Sequence, residues 1–130
     1  MPNKRPAKIL VVEDETFLVK IYAVKLKKEG YDVSIANDGE TAVKMAADVK
    51  PDLILLDLIL PKMNGFEALE RIRANVENKK TPVIVLSNLG QERDVAQAKA
   101  LGAIAFLVKA NLSLQDLVDR VDAALAPGTA

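Results

Sequence analysis

Five short apolar runs alternate along this chain with segments whose apolar residues recur every three or four positions. The runs read as strands over Lys8–Val12, Tyr31–Ala36, Asp52–Leu56, Pro82–Leu86 and Ile104–Val108. Runs one, three and four are continuously apolar, as strands covered by helices on both faces should be. Run two alternates through Val33-Ser34-Ile35 and reads as an edge strand. Run five is apolar, with Ala105 small enough to face outward at the opposite edge. Strict strand and helix alternation predicts an α/β fold, a three-layer α/β/α sandwich around a five-stranded parallel sheet. Right-handed crossovers, with the least apolar run at one edge, give the strand order 2-1-3-4-5.

The intervening helices are set by their spacing. Phe17, Ile21 and Val24 step by four and three, which predicts that this face of the first helix packs on the sheet, with Gly30 closing the helix at positive φ. The second helix, from about Gly39 to Asp48, presents Val43, Ala46 and Ala47. Asn64 is a good N-cap for a third helix with the stripe Phe66, Leu69, Ile72 and Val76. A fourth carries Val95, Ala98 and Leu101 and stops at Gly102. The fifth starts at Ser113 with Asp116 as capping-box partner, has Leu112 and Leu117 at staple positions, and turns Leu117, Val121 and Leu125 inward.

Composition narrows the function classes. At 130 residues the chain is one domain. The expected division is a leader over 1–7 that includes Lys4 and Arg5, a folded domain over 8–126, and a tail over 127–130. Eighteen basic residues balance eighteen acidic ones, which argues against a nucleic-acid or membrane-surface binder, since either wants a basic excess. No apolar stretch approaches ~18 residues and there is no signal-peptide pattern, so a cytoplasmic location is expected. The chain has no cysteine and no histidine. That excludes disulfides, thiolate chemistry and histidine-based triads, and it leaves a carboxylate or hydroxyl as the acceptor in any phosphate chemistry.

The strand ends carry the chemistry. Glu13 and Asp14 follow run one, Asp57 run three, Ser87 run four and Lys109 run five. In parallel α/β sheets the carboxyl ends of the strands open onto the ligand crevice. Carboxylates converging there repel by roughly 4 kcal/mol per pair at ~4 Å and an effective dielectric of ~20. Hard oxygen ligands of this kind suit Mg²⁺. The arrangement points to a Mg²⁺-dependent phosphoryl site. Asp57 would be the nucleophile, Glu13, Asp14, Asp57 and the Ile59 carbonyl the metal ligands, and Lys109 and Ser87 the partners of phosphoryl oxygens. Singly, each residue has an ordinary use: Asp14 as an N-cap, Glu13 at a helix dipole, Ser87 on loop backbone, Lys109 at the surface. Their coincidence at successive strand ends is what carries the reading.

The chain resembles the receiver domain of response regulators, the phosphoacceptor module of two-component signalling, over roughly Lys8 to Leu125. The most specific pieces are Ile9-Leu-Val-Val-Glu-Asp-Glu15 and Asp57-Leu-Ile-Leu-Pro-Lys-Met-Asn-Gly65, with supporting turns at Asn37-Asp-Gly39 and Leu101-Gly-Ala103. The resemblance implies the CheY-like, flavodoxin-like form of the sandwich. It implies phosphorylation of Asp57 from a histidine kinase or histidine phosphotransfer protein, with Mg²⁺ as cofactor. Such a domain is not a conventional enzyme, but catalyses its own aspartyl phosphorylation and dephosphorylation. It implies Ser87 as switch hydroxyl, Lys109 as the family's lysine, and Phe106 as the aromatic that turns inward with the switch. The signal would leave through the fourth helix, fifth strand and fifth helix to a downstream protein target; whether the phosphorylated form pairs as a homodimer stays open.

Three positions depart from that pattern. Asn88 stands where a small residue is usual and is expected to restrict access to the acyl phosphate. Ala110 replaces the proline that usually follows the lysine, and a cis peptide there would cost ~3 kcal/mol, so a differently built loop is expected. Ile59 is apolar where a polar side chain could assist hydrolysis, which predicts slow dephosphorylation. Two enzyme readings fit poorly. An aspartate-nucleophile phosphatase of the haloacid-dehalogenase type wants an acid where Ile59 stands, together with a cap domain. A nucleotide-binding fold wants a Gly-rich loop after the first strand. The remaining alternative is a receiver-like docking scaffold that works without phosphorylation.

Overall fold

The computed structural model describes residues 5–126. Residues 1–4 of the expected leader, Lys4 among them, and the tail over 127–130 lie outside the described residues. The strands are β1 (Lys8–Val12), β2 (Asp32–Ala36), β3 (Leu53–Leu56), β4 (Val83–Ser87) and β5 (Ala105–Val108). The helices are α1 (Thr16–Lys28), α2 (Gly39–Val49), α3 (Gly65–Ala74), α4 (Glu92–Ala100) and α5 (Leu114–Leu125). All strands pair in parallel in the order β2-β1-β3-β4-β5, as the apolar pattern requires.

Alternation along each central strand divides the core in two. Leu10, Val12, Ile54, Leu56, Val83 and Val85 face one side, where α2, α3 and α4 contribute Ala42, Ala46, Leu69, Ile72 and Ala98. Ile9, Val11, Leu53, Leu55, Ile84 and Leu86 face the other, against Tyr22 and Leu26 of α1 and Leu117 and Val121 of α5. Each fully buried Leu or Ile contributes about 1.5–3 kcal/mol. Together they make the sheet a stiff platform whose carboxyl edge holds the acids.

The first helix departs from expectation. Of the expected face only Ile21 packs against the core; Phe17 and Val24 are 68% and 62% exposed, while Val19, Tyr22, Ala23 and Leu26 are buried. Apolar residues occupy most sides of α1, so two stripes satisfy a helical period, and contact with α5 and the sheet decides between them. Val76 is likewise exposed, beyond the end of α3 in a 3-10 turn. At the fifth strand it is Ile104, one residue before β5, that is exposed, while Ala105 packs against the core.

The capping expectations for α3 and α5 hold. Asn64 accepts from the Glu67 N–H at 3.0 Å. Ser113 and Asp116 form a complete capping box, and Leu112 and Leu117 share one core cluster. Gly30 takes φ 96° after α1. Tyr31 donates its hydroxyl proton to Asp122, tying the start of β2 to α5; burial and that bond push its pKa up to about 12. Among the described residues no helix is long and apolar enough to cross a membrane.

Candidate functional site

The parallel ladder delivers the site residues to one rim. Val12 pairs with Leu56 and Leu56 with Val85, so Glu13 and Asp57 leave neighbouring strands at the same level. Each backbone is held one rung further: Glu13 N–H donates to the Ala36 carbonyl at 3.0 Å and Asp57 N–H to the Val12 carbonyl at 3.1 Å. Ser87 pairs with Val108 in the last rung of β4 and β5, which brings Lys109 to the same edge.

There the side chains meet. The Lys109 ammonium donates to Glu13 Oε1 at 2.6 Å and to Asp57 Oδ2 at 2.9 Å. Asp57 Oδ1 accepts from its own loop, from the Ile59 N–H at 3.2 Å. Glu13 Oε2 accepts from the Glu15 N–H at 3.1 Å, and Glu15 is the N-cap of α1. Asp14 therefore does not cap that helix. It is exposed, and its carboxylate joins Glu13 and Asp57 in a group whose oxygens all lie within 4.8 Å of one another.

Charge at this rim is unevenly matched. Glu13 is 2% exposed and Asp57 5% exposed. Burial pushes the Glu13 pKa above its ordinary value, although the hydrogen bond from Lys109 pulls it back. Burial likewise pulls the Lys109 ammonium down, but the hydrogen bonds and charges of Glu13 and Asp57 outweigh it and hold the group above its ordinary value. One ammonium against three carboxyl groups leaves the rim short of positive charge. The donor set is all oxygen, two carboxyls fixed by backbone N–H groups and a third open to solvent, and it fits a hard divalent cation.

Magnesium at about ten times its Kd is therefore expected to stabilise the fold by about 1.4 kcal/mol, a rise in Tm of ~4–6 °C. Asp14→Ala should remove that rise while leaving the metal-free Tm nearly unchanged, because Asp14 is exposed. Scanning calorimetry checks it; an equal rise in both proteins would contradict the assignment.

The remaining residues frame the rim. Ser87 is fully buried and its Oγ accepts from the Leu89 N–H at 3.3 Å. Phe106 lies half-buried on β5 against the core side that holds α4. Ile59 is 57% exposed beside Asp57. Asn88 is exposed, and its Oδ1 accepts from the Ala110 N–H at 3.0 Å. Lys109–Asn111 form a 3-10 turn, and the described residues contain no cis peptide. One contributor was missed in the sequence: Asn37 donates its side-chain N–H to the Glu13 carbonyl at 3.2 Å. The strand order placing β2 beside β1 was the available signal, since it puts the residue after Ala36 next to Glu13.

Known proteins share this design. The family model for the response regulator receiver domain matches residues 9–122. The DNA-binding dual master transcriptional regulator RpaA of Synechocystis is 36% identical over 118 residues, 91% of this chain and 48% of that protein. The chain spans about half the length of the curated relatives it matches. The chemotaxis protein CheY4 of Vibrio cholerae superposes with a TM-score of 0.86 at 30% identity, covering 92% of this chain and 99% of its own. The receiver domain of the sensor histidine kinase PA1611 from Pseudomonas aeruginosa, solved with magnesium coordinated in its active-site cleft, gives 0.82 at 28% identity, covering 91% and 96%. A match along nearly all of the described chain, on a sheet whose strand order and acidic rim follow from the residues themselves, leaves one conclusion: the chain belongs to the response regulator receiver domain family.

Proposed function

We propose that this protein accepts a phosphoryl group on Asp57 from a histidine kinase or histidine phosphotransfer protein in the cytoplasm and passes the signal to a protein target. The reading is carried by Lys109 bridging Glu13 and Asp57 at 2.6 and 2.9 Å beside the exposed carboxylate of Asp14. A carboxylate oxygen of Asp57 forms the new O–P bond as the donor's N–P bond breaks, and the donor imidazole keeps the electron pair and takes a proton. Glu13, Asp14, Asp57 and the Ile59 carbonyl would hold Mg²⁺, which would supply charge neutralisation for the incoming oxygens. The Ile59 N–H and Lys109 hold the Asp57 carboxylate in place, so little reorganisation is needed at the moment of transfer. The chain catalyses its own modification, and water later reverses it.

The phosphoryl group adds about 1.5–2 negative charges where Ser87 and Lys109 can reach it. The Ser87 hydroxyl, which accepts from the Leu89 N–H, then donates its own proton to a phosphoryl oxygen, which draws the start of the β4–α4 loop inward and frees Phe106 to follow. The change is a shift between two arrangements, biased by contacts made only with the phosphoryl group. Moving the population from 1:99 to 99:1 takes about 5.5 kcal/mol. The outgoing face is α4, β5 and α5, and a homodimer of the phosphorylated form is one way to use it.

Incubation with acetyl phosphate and Mg²⁺ followed by intact-mass measurement tests the reading. One phosphoryl group is expected on the wild type, and none without Mg²⁺. No gain under any condition would favour a docking scaffold instead. With apolar Ile59 exposed after Asp57 and Asn88 in the loop after Ser87, the acyl phosphate should persist for many minutes; a lifetime of seconds would count against the roles given to both.

A further inference from the structure

The pairing of β4 with β5 ends at Ser87 and Val108. Beyond it the two chains part, one toward α4 and the other into the 3-10 turn Lys109–Asn111. The Asn88 side chain closes the gap: its Oδ1 accepts from the Ala110 N–H at 3.0 Å. Only the amide oxygen can accept from an N–H, so the orientation of the group is fixed by its partner. Lys109 thus has held backbone on both sides, the sheet rung at Val108 and the Asn88 bond at Ala110.

That brace has a chemical consequence. A lysine ammonium sits on a flexible four-carbon stem and is placed well only if its Cα is. Here it must reach two carboxylates at once, at 2.6 and 2.9 Å. Proline at position 110 would remove the donor and disfavour the helical backbone of Lys109. Alanine there and an acceptor at 88 therefore belong together. We propose that Asn88 is a positioning residue, holding the Lys109 turn through the Ala110 N–H so that the ammonium stays on Glu13 and Asp57 during phosphoryl transfer. The proposal rests on the phosphoacceptor reading above. It gives Asn88 a task distinct from limiting access, because an acceptor atom matters here rather than bulk.

The test measures initial rates of Mg²⁺-dependent phosphorylation by acetyl phosphate, read by intact mass, in the wild type, N88L, N88D, A110P and N88L/A110P, with a thermal melt of each. Leucine keeps the volume and loses the acceptor; aspartate keeps an acceptor oxygen. Loss of one neutral hydrogen bond predicts about a fivefold slower N88L. N88D should retain most of the rate, and the double variant should be no slower than A110P alone, with N88L and N88D melting near the wild type and the double variant melting like A110P. A wild type that gains a phosphoryl group while N88L matches its rate overturns this proposal alone. So does an N88D as slow as N88L, or a double variant that multiplies the single losses. A wild type that gains none overturns the phosphoacceptor reading, and this proposal with it.

Discussion

Replacing Lys109 with alanine is expected to slow phosphorylation of Asp57 by about a hundredfold or more, the scale seen when one donor to developing charge is removed from a preorganised site. The ammonium is the one cation that the described structure places within hydrogen-bond reach of both Glu13 and Asp57. The same substitution should cost stability. Breaking a fully buried pair costs ~3–5 kcal/mol, and the solvent-facing rim here brings the expectation down to about 2–3 kcal/mol. The cost should depend on pH with a definite sign. Burial already holds the Glu13 pKa above 4.5, and removing the ammonium raises it further. A carboxyl group with a raised folded-state value contributes fully below its unfolded value and loses that contribution as pH climbs through the folded one. The deficit of Lys109→Ala should thus be largest near neutral pH and shrink toward pH ~4.5. Urea melts across that range check it, and a pH-independent deficit would contradict the charge argument. Mg²⁺ should recover part of the lost stability at neutral pH, since a cation again faces the acids.

Gly65→Ala is expected to destabilise the domain by about 3 kcal/mol, the upper part of the range for forcing atoms into a packed site. Gly65 opens α3, and its N–H donates to the Leu58 carbonyl at 2.8 Å. A Cβ at this position would run into the Asp57 carbonyl oxygen and the Leu58 Cα, both backbone atoms that cannot rotate away. Relief requires α3 to retreat from the Asp57 loop, so phosphorylation should fall along with stability. Gly90→Ala is the control. It lies on the β4–α4 loop, where a new Cβ would meet only Val108 Cγ2 at 3.5 Å, an ordinary contact. That variant should fold within ~0.5 kcal/mol of the wild type, with reduced unfolded-chain entropy in its favour. Equal melts for the two alanine variants would show that the close approach at Gly65 is not limiting.

What was legible in the sequence divides along the same physical line. Buried parallel strands must be continuously apolar, so β1, β3 and β4 announced themselves, and the residue following each was necessarily at the rim. Glu13 and Asp57 could be placed at the rim for that reason, Ser87 closes the apolar run of β4, and Lys109 follows the apolar β5. The facing of α1 was legible only at Ile21, which packs on the core, because Phe17, Ile21 and Val24 fit a helical period as well as Val19, Tyr22, Ala23 and Leu26 do. The bond between Asn88 and Ala110 joins positions 22 apart whose meeting depends on where two loops leave the sheet. The need for glycine at 65 was hidden too, since it comes from the approach of one backbone to another rather than from a local turn.

The most direct measurement locates the phosphoryl group itself. Protein incubated with acetyl phosphate and Mg²⁺ would be reduced with borohydride, which converts an aspartyl phosphate to homoserine, and digested for peptide mass spectrometry. Homoserine at position 57 alone, absent from Asp57→Asn and from a Mg²⁺-free sample, is the predicted result. Homoserine at Asp14 or elsewhere, or modification that persists in Asp57→Asn, would contradict the assignment of Asp57 as the acceptor.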